Sequence, residues 1–319
     1  MIIQENDQSD WRLTMQSIHV EHISKRFGDT QAVRDVSFDV VPGEIFGLLG
    51  PNGSGKTTTI RIILDILKPD SGSVSILGGA MSEAKKNQIG YLPEERGLYQ
   101  DILLDKCLEY LATLKGMSPQ QIKQKLPAYL DEFDLSSHRK KKVKELSKGM
   151  QQKAQLIATL IHNPQVIIID EPFSALDPVN TQLVKDILKQ QRSAGKTIIM
   201  CTHQMNQVEQ LCDKIVLVDK GEVLLYGGLQ QIYESFATDD VRINTSMELP
   251  PSIPGVRKIE RLNTMIKLEP QPGVKPQEIL NTLVSQGIQL NAFEIAVPSL
   301  DEIFIKVVKK GEPGDEQDL

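Results

Sequence analysis

Residues 50–58 read Gly-Pro-Asn-Gly-Ser-Gly-Lys-Thr-Thr, and no other stretch restricts the possible folds of this chain so tightly. The pattern G-x-x-x-x-G-K-S/T is that of a phosphate-binding loop. Gly50, Gly53 and Gly55 let the backbone turn tightly and aim its N–H groups at phosphate oxygens, with Pro51, Asn52 and Ser54 between them. Lys56 brings a positive charge to the β- and γ-phosphates, and the Thr57 hydroxyl suits a Mg²⁺ ligand. The flanks agree. Glu44–Leu49 reads as a short apolar strand, and the stretch from Thr58 to Leu67 as a helix with Ile62, Ile63, Ile66 and Leu67 on one face. The loop thus opens a helix, where the dipole and free N–H groups favour an anion.

A second segment points to the same chemistry. Val166–Glu171 is an apolar run closed by two carboxylates. Such a run predicts a strand covered on both faces within a parallel sheet. Acids at its carboxyl end fall in the crevice where open α/β sheets bind ligands. Alone, an isoleucine-rich strand before Asp-Glu is commonplace. Beside Lys56, Asp170 is a candidate to hold Mg²⁺ through water, and Glu171 to polarise the attacking water as general base.

A chain of 319 residues accommodates one large domain and a small one. With 40% hydrophobic and 24% charged residues, its composition is that of a globular protein. A net charge of −6 argues against a nucleic-acid partner held by a basic surface. No apolar stretch approaches the roughly 20 residues of a membrane span, and the first residues lack a signal-peptide pattern. Cys107, Cys201 and Cys212 form no ligand cluster and read as buried thiols. Along the chain, Ser17–Phe27 and Ala32–Val41 look like strands of an antiparallel lead-in sheet. Helices are expected within 101–135, broken at Gly116–Pro119, and over Gln151–Ile161, where Met150, Ala154, Ile157, Ala158 and Ile161 share a stripe. Another helix carries Leu183, Val184, Ile187 and Leu188, and strands follow at Thr197–Cys201 and Lys214–Val218. Pro250, Pro251, Pro254, Pro270, Pro272 and Pro276 crowd the region after Phe236. The expected organisation is a polar extension at 1–17, a main domain at 18–238, a small C-terminal domain at 239–310 and a polar tail at 311–319.

Between the two phosphate-site segments lies Glu145-Leu146-Ser147-Lys148-Gly149-Met150-Gln151-Gln152, in which Ser147 is a good N-cap and Gly149 permits close backbone approach. After Glu171 come Ser174-Ala175-Leu176-Asp177 and then His203 behind an apolar strand. Taken together, residues 18–236 resemble the ATP-binding subunit of ABC transporters. The resemblance implies an α/β fold of the P-loop ATPase type, with a mixed sheet core, an antiparallel β subdomain and a helical subdomain, here followed by a small C-terminal α+β domain. It also implies ATP hydrolysis with ATP and Mg²⁺ as ligands. By its motifs, Phe27 stacks on adenine; Gly50 to Thr58 cradle the phosphates; Thr57, Glu94 and Asp170 attend the metal; Glu171 and His203 are catalytic. The segment Ile89–Glu94 matches the Q-loop with Glu94 in place of Gln, and Leu146–Gln151 the signature motif with Lys148 and Met150 in place of Gly and Gln. Ser147, Gly149 and Gln151 are then expected at a partner's nucleotide.

The family pattern implies two ATPase subunits packed head to tail, as a homodimer or a heterodimer, so that ATP is part of their interface. Closure then drives an integral membrane permease, which places this chain on the cytoplasmic face of the membrane. The segments Tyr91–Tyr99 and Pro298–Phe304 look like ABC-2 type exporters, most similar to the sodium-extrusion type. The alternative is a soluble ABC ATPase in a role such as cofactor assembly. The basic run Arg139–Lys142 with Lys144 reads as a solvated helix end rather than a lipid contact.

Overall fold

The computed structural model describes residues 16–95, 97–262 and 265–310. The extension expected at 1–17, apart from Gln16 and Ser17, and the tail expected at 311–319 lie outside the described residues, as does Arg96 of the exporter-like segment. In chain order the elements are β1 (Ile18–Phe27), β2 (Thr30–Val40), β3 (Ile45–Leu49), α1 (Lys56–Ile63), β4 (Ser71–Ile76), α2 (Glu83–Lys86), β5 (Ile89–Leu92), α3 (Leu104–Leu114), α4 (Pro119–Glu132) and α5 (Lys148–Leu160). There follow β6 (Val166–Asp170), α6 (Pro178–Ser193), β7 (Thr197–Thr202), α7 (Met205–Leu211), β8 (Lys214–Asp219), β9 (Glu222–Gly228) and α8 (Leu229–Phe236). The last are β10 (Val241–Asn244), β11 (Val256–Leu262), β12 (Met265–Pro270), α9 (Pro276–Ser285), β13 (Ala292–Ile295) and α10 (Leu300–Lys310). Two compact units divide between Leu229 and Gln230.

The first unit holds a six-stranded sheet in the order β5-β6-β7-β3-β8-β9. Every strand in it is parallel to its neighbours except the edge strand β9. All residues of β3, β6 and β7 are buried, which is why their middles read as apolar runs. A second, antiparallel sheet has the order β2-β1-β4. Ile18 and Phe38 from it share one core with Phe46, Ile60, Ile63 and Ile168. The rings of Phe38 and Phe46 stack 5.1 Å apart. The fold class follows the sequence expectation.

Three local readings need correction or refinement. α1 begins at Lys56 and stops at Ile63, short of the expected Leu67. Asp65 takes a left-handed φ of 59° and breaks the helix, so Ile66, expected on the apolar face, is 60% exposed. α5 is not a one-stripe helix: Gln151, Gln152, Lys153 and Gln155 are buried beside Ala154 and Ile157. The basic run lies between two 3₁₀ turns, Ser136–His138 and Val143–Glu145, not at the end of an α-helix. There Lys140 pairs with Asp105 at 2.7 Å, and Lys144 with Asp101 at 2.5 Å. The break between α3 and α4 falls where expected, and Ser118 and Gln121 form a capping box that opens α4.

The second unit is α+β. Its antiparallel sheet has the order β11-β12-β10-β13, and Ile279 and Leu283 of α9 are buried with Val241, Ile243 and Leu268. Pro276 is at the start of α9, where its missing N–H costs nothing. All three cysteines are buried and unpaired. No helix among the described residues is long and apolar enough to cross a membrane.

Candidate nucleotide site

Parallel pairing brings the carboxyl ends of β3, β6 and β7 side by side, Leu49 next to Thr202 and Asp170 next to Cys201. Each end carries one sequence-singled segment: the glycine loop after β3, Asp170-Glu171 at β6, and His203 after β7. Four candidates far apart in sequence, Lys56, Asp170, Glu171 and His203, therefore gather at one edge of one sheet.

The loop is held by its own backbone. Ser54 N–H donates to Pro51 O at 3.2 Å, and Gly221 N–H to Ser54 O at 2.9 Å. Two glycines are required by space as well as by φ. A Cβ on Gly50 would stand 2.1 Å from Val218 O, and one on Gly55 2.3 Å from Ala32 O. Both sites have positive φ, 150° and 107°. Lys56 is 8% exposed, and its ammonium donates to Gly50 O and Pro51 O at 2.8 and 2.9 Å. No side chain caps α1, so its first N–H groups are left to an external acceptor. The buried hydroxyl of Ser54 also has no hydrogen-bond partner among the described residues. A cradle of donors with one buried cation fits a polyphosphate. Asn52 and Gly53 are exposed at the tip, while Thr58 is half-buried in the first turn of α1.

Thr57 Oγ1 donates to Asp170 Oδ2 at 3.3 Å. Asp170 is 2% exposed, and its pKa is pushed up to about 6, first by burial and then by the charges of Glu94 and Glu171. This surplus of negative charge beside a hydroxyl suits a hard cation such as Mg²⁺. Among the described residues no group of three or more His, Cys, Asp and Glu side chains forms a metal cage. Glu94 is exposed, and its charge is one of those that raise the Asp170 pKa.

Glu171 is fixed by several hydrogen bonds. Its Oε1 accepts from His203 N–H at 3.1 Å and faces His203 Nδ1 at 2.7 Å, and its Oε2 accepts from Thr202 Oγ1 at 3.1 Å. Its backbone N–H donates to Cys201 O at 2.9 Å, and its φ is 52°. The two residues assigned catalytic roles from sequence are thus in direct contact.

The remaining candidates lie elsewhere. Phe27 is 47% exposed at the β1–β2 hairpin. That hairpin also carries Ala32, whose carbonyl closes on Gly55. Ser147 caps α5, its Oγ accepting from Met150 N–H at 3.2 Å. A Cβ on Gly149 would stand 3.0 Å from Ala175 O, so this glycine permits contact with the chain's own 174–177 turn. Gln151 is buried, and its amide donates to Val143 O and Leu146 O at 3.2 and 3.0 Å. Its side chain holds up its own loop. Sequence reasoning passed over Gln152, which donates to the carbonyls of Glu171 and Pro172, and Thr202. Only their adjacency to Gln151 and His203 marked them.

The chain is similar to several known proteins. The family model "ABC transporter" matches residues 33–174, and "ATP-binding protein DrrA1-3-like, C-terminal domain" matches residues 227–308. The chain is 40% identical over 291 residues to the uncharacterized ABC transporter ATP-binding protein YhaQ of Bacillus subtilis (strain 168), covering 91% of this chain and 97% of that one. It is 37% identical over 221 residues to Nod factor export ATP-binding protein I of Rhizobium sp. (strain N33), covering 68% of this chain and 73% of that one. A solved ATP-binding subunit of an ABC transporter superposes with a TM-score of 0.65 at 32% identity, covering 69% of this chain and 92% of that chain.

Proposed function

The chain belongs to the ABC transporter ATP-binding proteins, an ATPase family, and on that footing we propose that it powers a separate membrane permease of the exporter class. The observation that carries the reading is the convergence of Lys56, Asp170, Glu171 and His203 at the carboxyl ends of three adjacent strands. Lys56 would exchange its two loop carbonyls for phosphate oxygens, neutralising charge on the phosphoryl groups. Thr57, Asp170 and Glu94 would hold Mg²⁺, which supplies charge stabilisation at the phosphates when bound. Glu171 orients a water and takes its proton at a carboxylate oxygen, while His203 and Thr202 keep that carboxylate in one rotamer.

Ser147 retains its own O–H proton after accepting from Met150, so it can donate to the nucleotide of a second subunit. We therefore read Ser147 and Gly149 as acting across a head-to-tail pair, homo- or heterodimeric, at the cytoplasmic face of the membrane. The likeness to a Nod factor export protein supports the exporter reading. The finer placement, with the sodium-extrusion type, rests on the segments Tyr91–Tyr99 and Pro298–Phe304 alone; sodium efflux from vesicles containing the chain and its permease tests it.

ATPase measurements on Lys56→Ala and Glu171→Gln test the chemistry. Each should lose at least about a hundred-fold in rate, and Glu171→Gln should retain ATP and elute as a dimer with MgATP. A Glu171→Gln variant that hydrolyses normally would sink the assignment. Purification from membranes without an accompanying integral membrane protein would favour the soluble reading.

A further inference from the structure

Gln152 is 9% exposed, and its Nε2 donates to the carbonyl oxygens of Glu171 and Pro172, both at 3.3 Å. One amide nitrogen has two protons, and here both are committed to successive carbonyls of a single turn. That turn needs support from outside itself. Glu171 sits at φ 52°, a region non-glycine residues seldom occupy, and it precedes a proline, which narrows its choices further. Within the turn, Glu171 O also accepts from Ser174 N–H at 3.2 Å. At and just after the end of β7, Thr202 and His203 hold the carboxylate end. Gln152 reaches the backbone end from a third element, α5.

We propose that Gln152 is a positioning residue for the Glu171 carboxylate, fixing the Glu171–Pro172 backbone from the helix that Ser147 caps; the proposal rests on Glu171 being the general base. Two more side chains of α5 extend the same arrangement. Gln155 Nε2 donates to Glu95 O at 3.4 Å, and Thr159 Oγ1 to Tyr91 O at 3.5 Å. Residues 152, 155 and 159 share one helix face. That face thus spans from the Glu171 turn to the strand and loop carrying Glu94. A rotation or shift of the Ser147 end of α5 is passed by Gln152 to the backbone of the residue that takes the water's proton.

The test uses the purified full-length chain. Gln152→Leu removes both donors, and Gln152→Glu replaces the amide with a group that donates only when protonated. A carboxylate facing two carbonyls in a buried place is disfavoured, so the introduced acid holds its proton at lower pH and loses it as pH rises. Gln152→Leu should lower kcat by about ten-fold or more while KM for ATP stays within about two-fold. The ratio of Gln152→Glu to wild-type kcat should fall between about pH 6 and about pH 9. A side chain that merely fills space would give a pH-independent ratio and an unchanged kcat for Gln152→Leu. Either result overturns the proposal. Should Gln152→Leu fail to fold, the pH ratio of Gln152→Glu decides alone. Glu171→Gln in parallel separates the two ideas: an active Glu171→Gln removes the general base itself, whereas an inactive one beside a normal Gln152→Leu removes only the positioning role.

Discussion

At the scale of single residues, the chain places buried charge in two different settings. Asp170 sits among carboxylates at the site, while Glu44, 8% exposed, lies at the other end of the sheet, immediately before β3. Burial pushes the Glu44 pKa up to about 7, only partly countered by the Val41 N–H it accepts at 2.7 Å and by Lys214. The folded chain therefore binds this proton more tightly than the unfolded chain does. Stability should fall as pH rises from the ordinary carboxyl range through about 7, and the loss should be complete above that. Glu44→Gln keeps the acceptor for Val41 and removes the ionisation. We expect it to be more stable than wild type at pH 8 by about 3 kcal/mol and equal to it near pH 4. Urea titrations at the two pH values check this; an unchanged difference between them would refute it.

At the scale of elements, stability and legibility follow the same division. Ser118 and Gln121 satisfy each other's backbone at the start of α4, so Ser118→Ala should cost about 1 kcal/mol without altering ATP affinity. Thermal denaturation with and without ATP separates the two effects. The break before that helix was legible because its signal is local, Gly116 and Pro119 within four positions, whereas the Ser118–Gln121 cap was not singled out. The apolar run of β6 that closes on Asp170 and the glycine loop were legible for the same reason. What else escaped was set by distant partners. The early end of α1 depends on Asp65 adopting φ 59°. The all-round burial of α5 depends on carbonyls of Tyr91, Glu95, Glu171 and Pro172 receiving its polar side chains. Gln151 matched a motif, but its amide turns to Val143 and Leu146 of its own loop. Gly149 reads as a point of close approach, yet no spacing reveals that Ala175 is what approaches.

At the scale of the whole molecule, every phosphate-site residue precedes the division at Leu229, and the second unit has its own apolar core. A chain ending at residue 238 should remain soluble and bind ATP within about three-fold of the full chain. Equilibrium binding of a fluorescent ATP analogue measures this, and complete loss of binding would show that the second unit is needed by the first. The strand order has a further consequence, for synthesis. β3 is made early, but Ile45 pairs with Ile198 and Leu49 with both Thr202 and Leu217. Until those late strands have left the ribosome, the phosphate loop hangs from a strand with neither neighbour. Contacts so distant in sequence form slowly and leave apolar edges uncovered meanwhile. Nucleotide thus has no complete site until β7 and β8 have emerged, and the glycine loop, translated before them, becomes a site only afterwards.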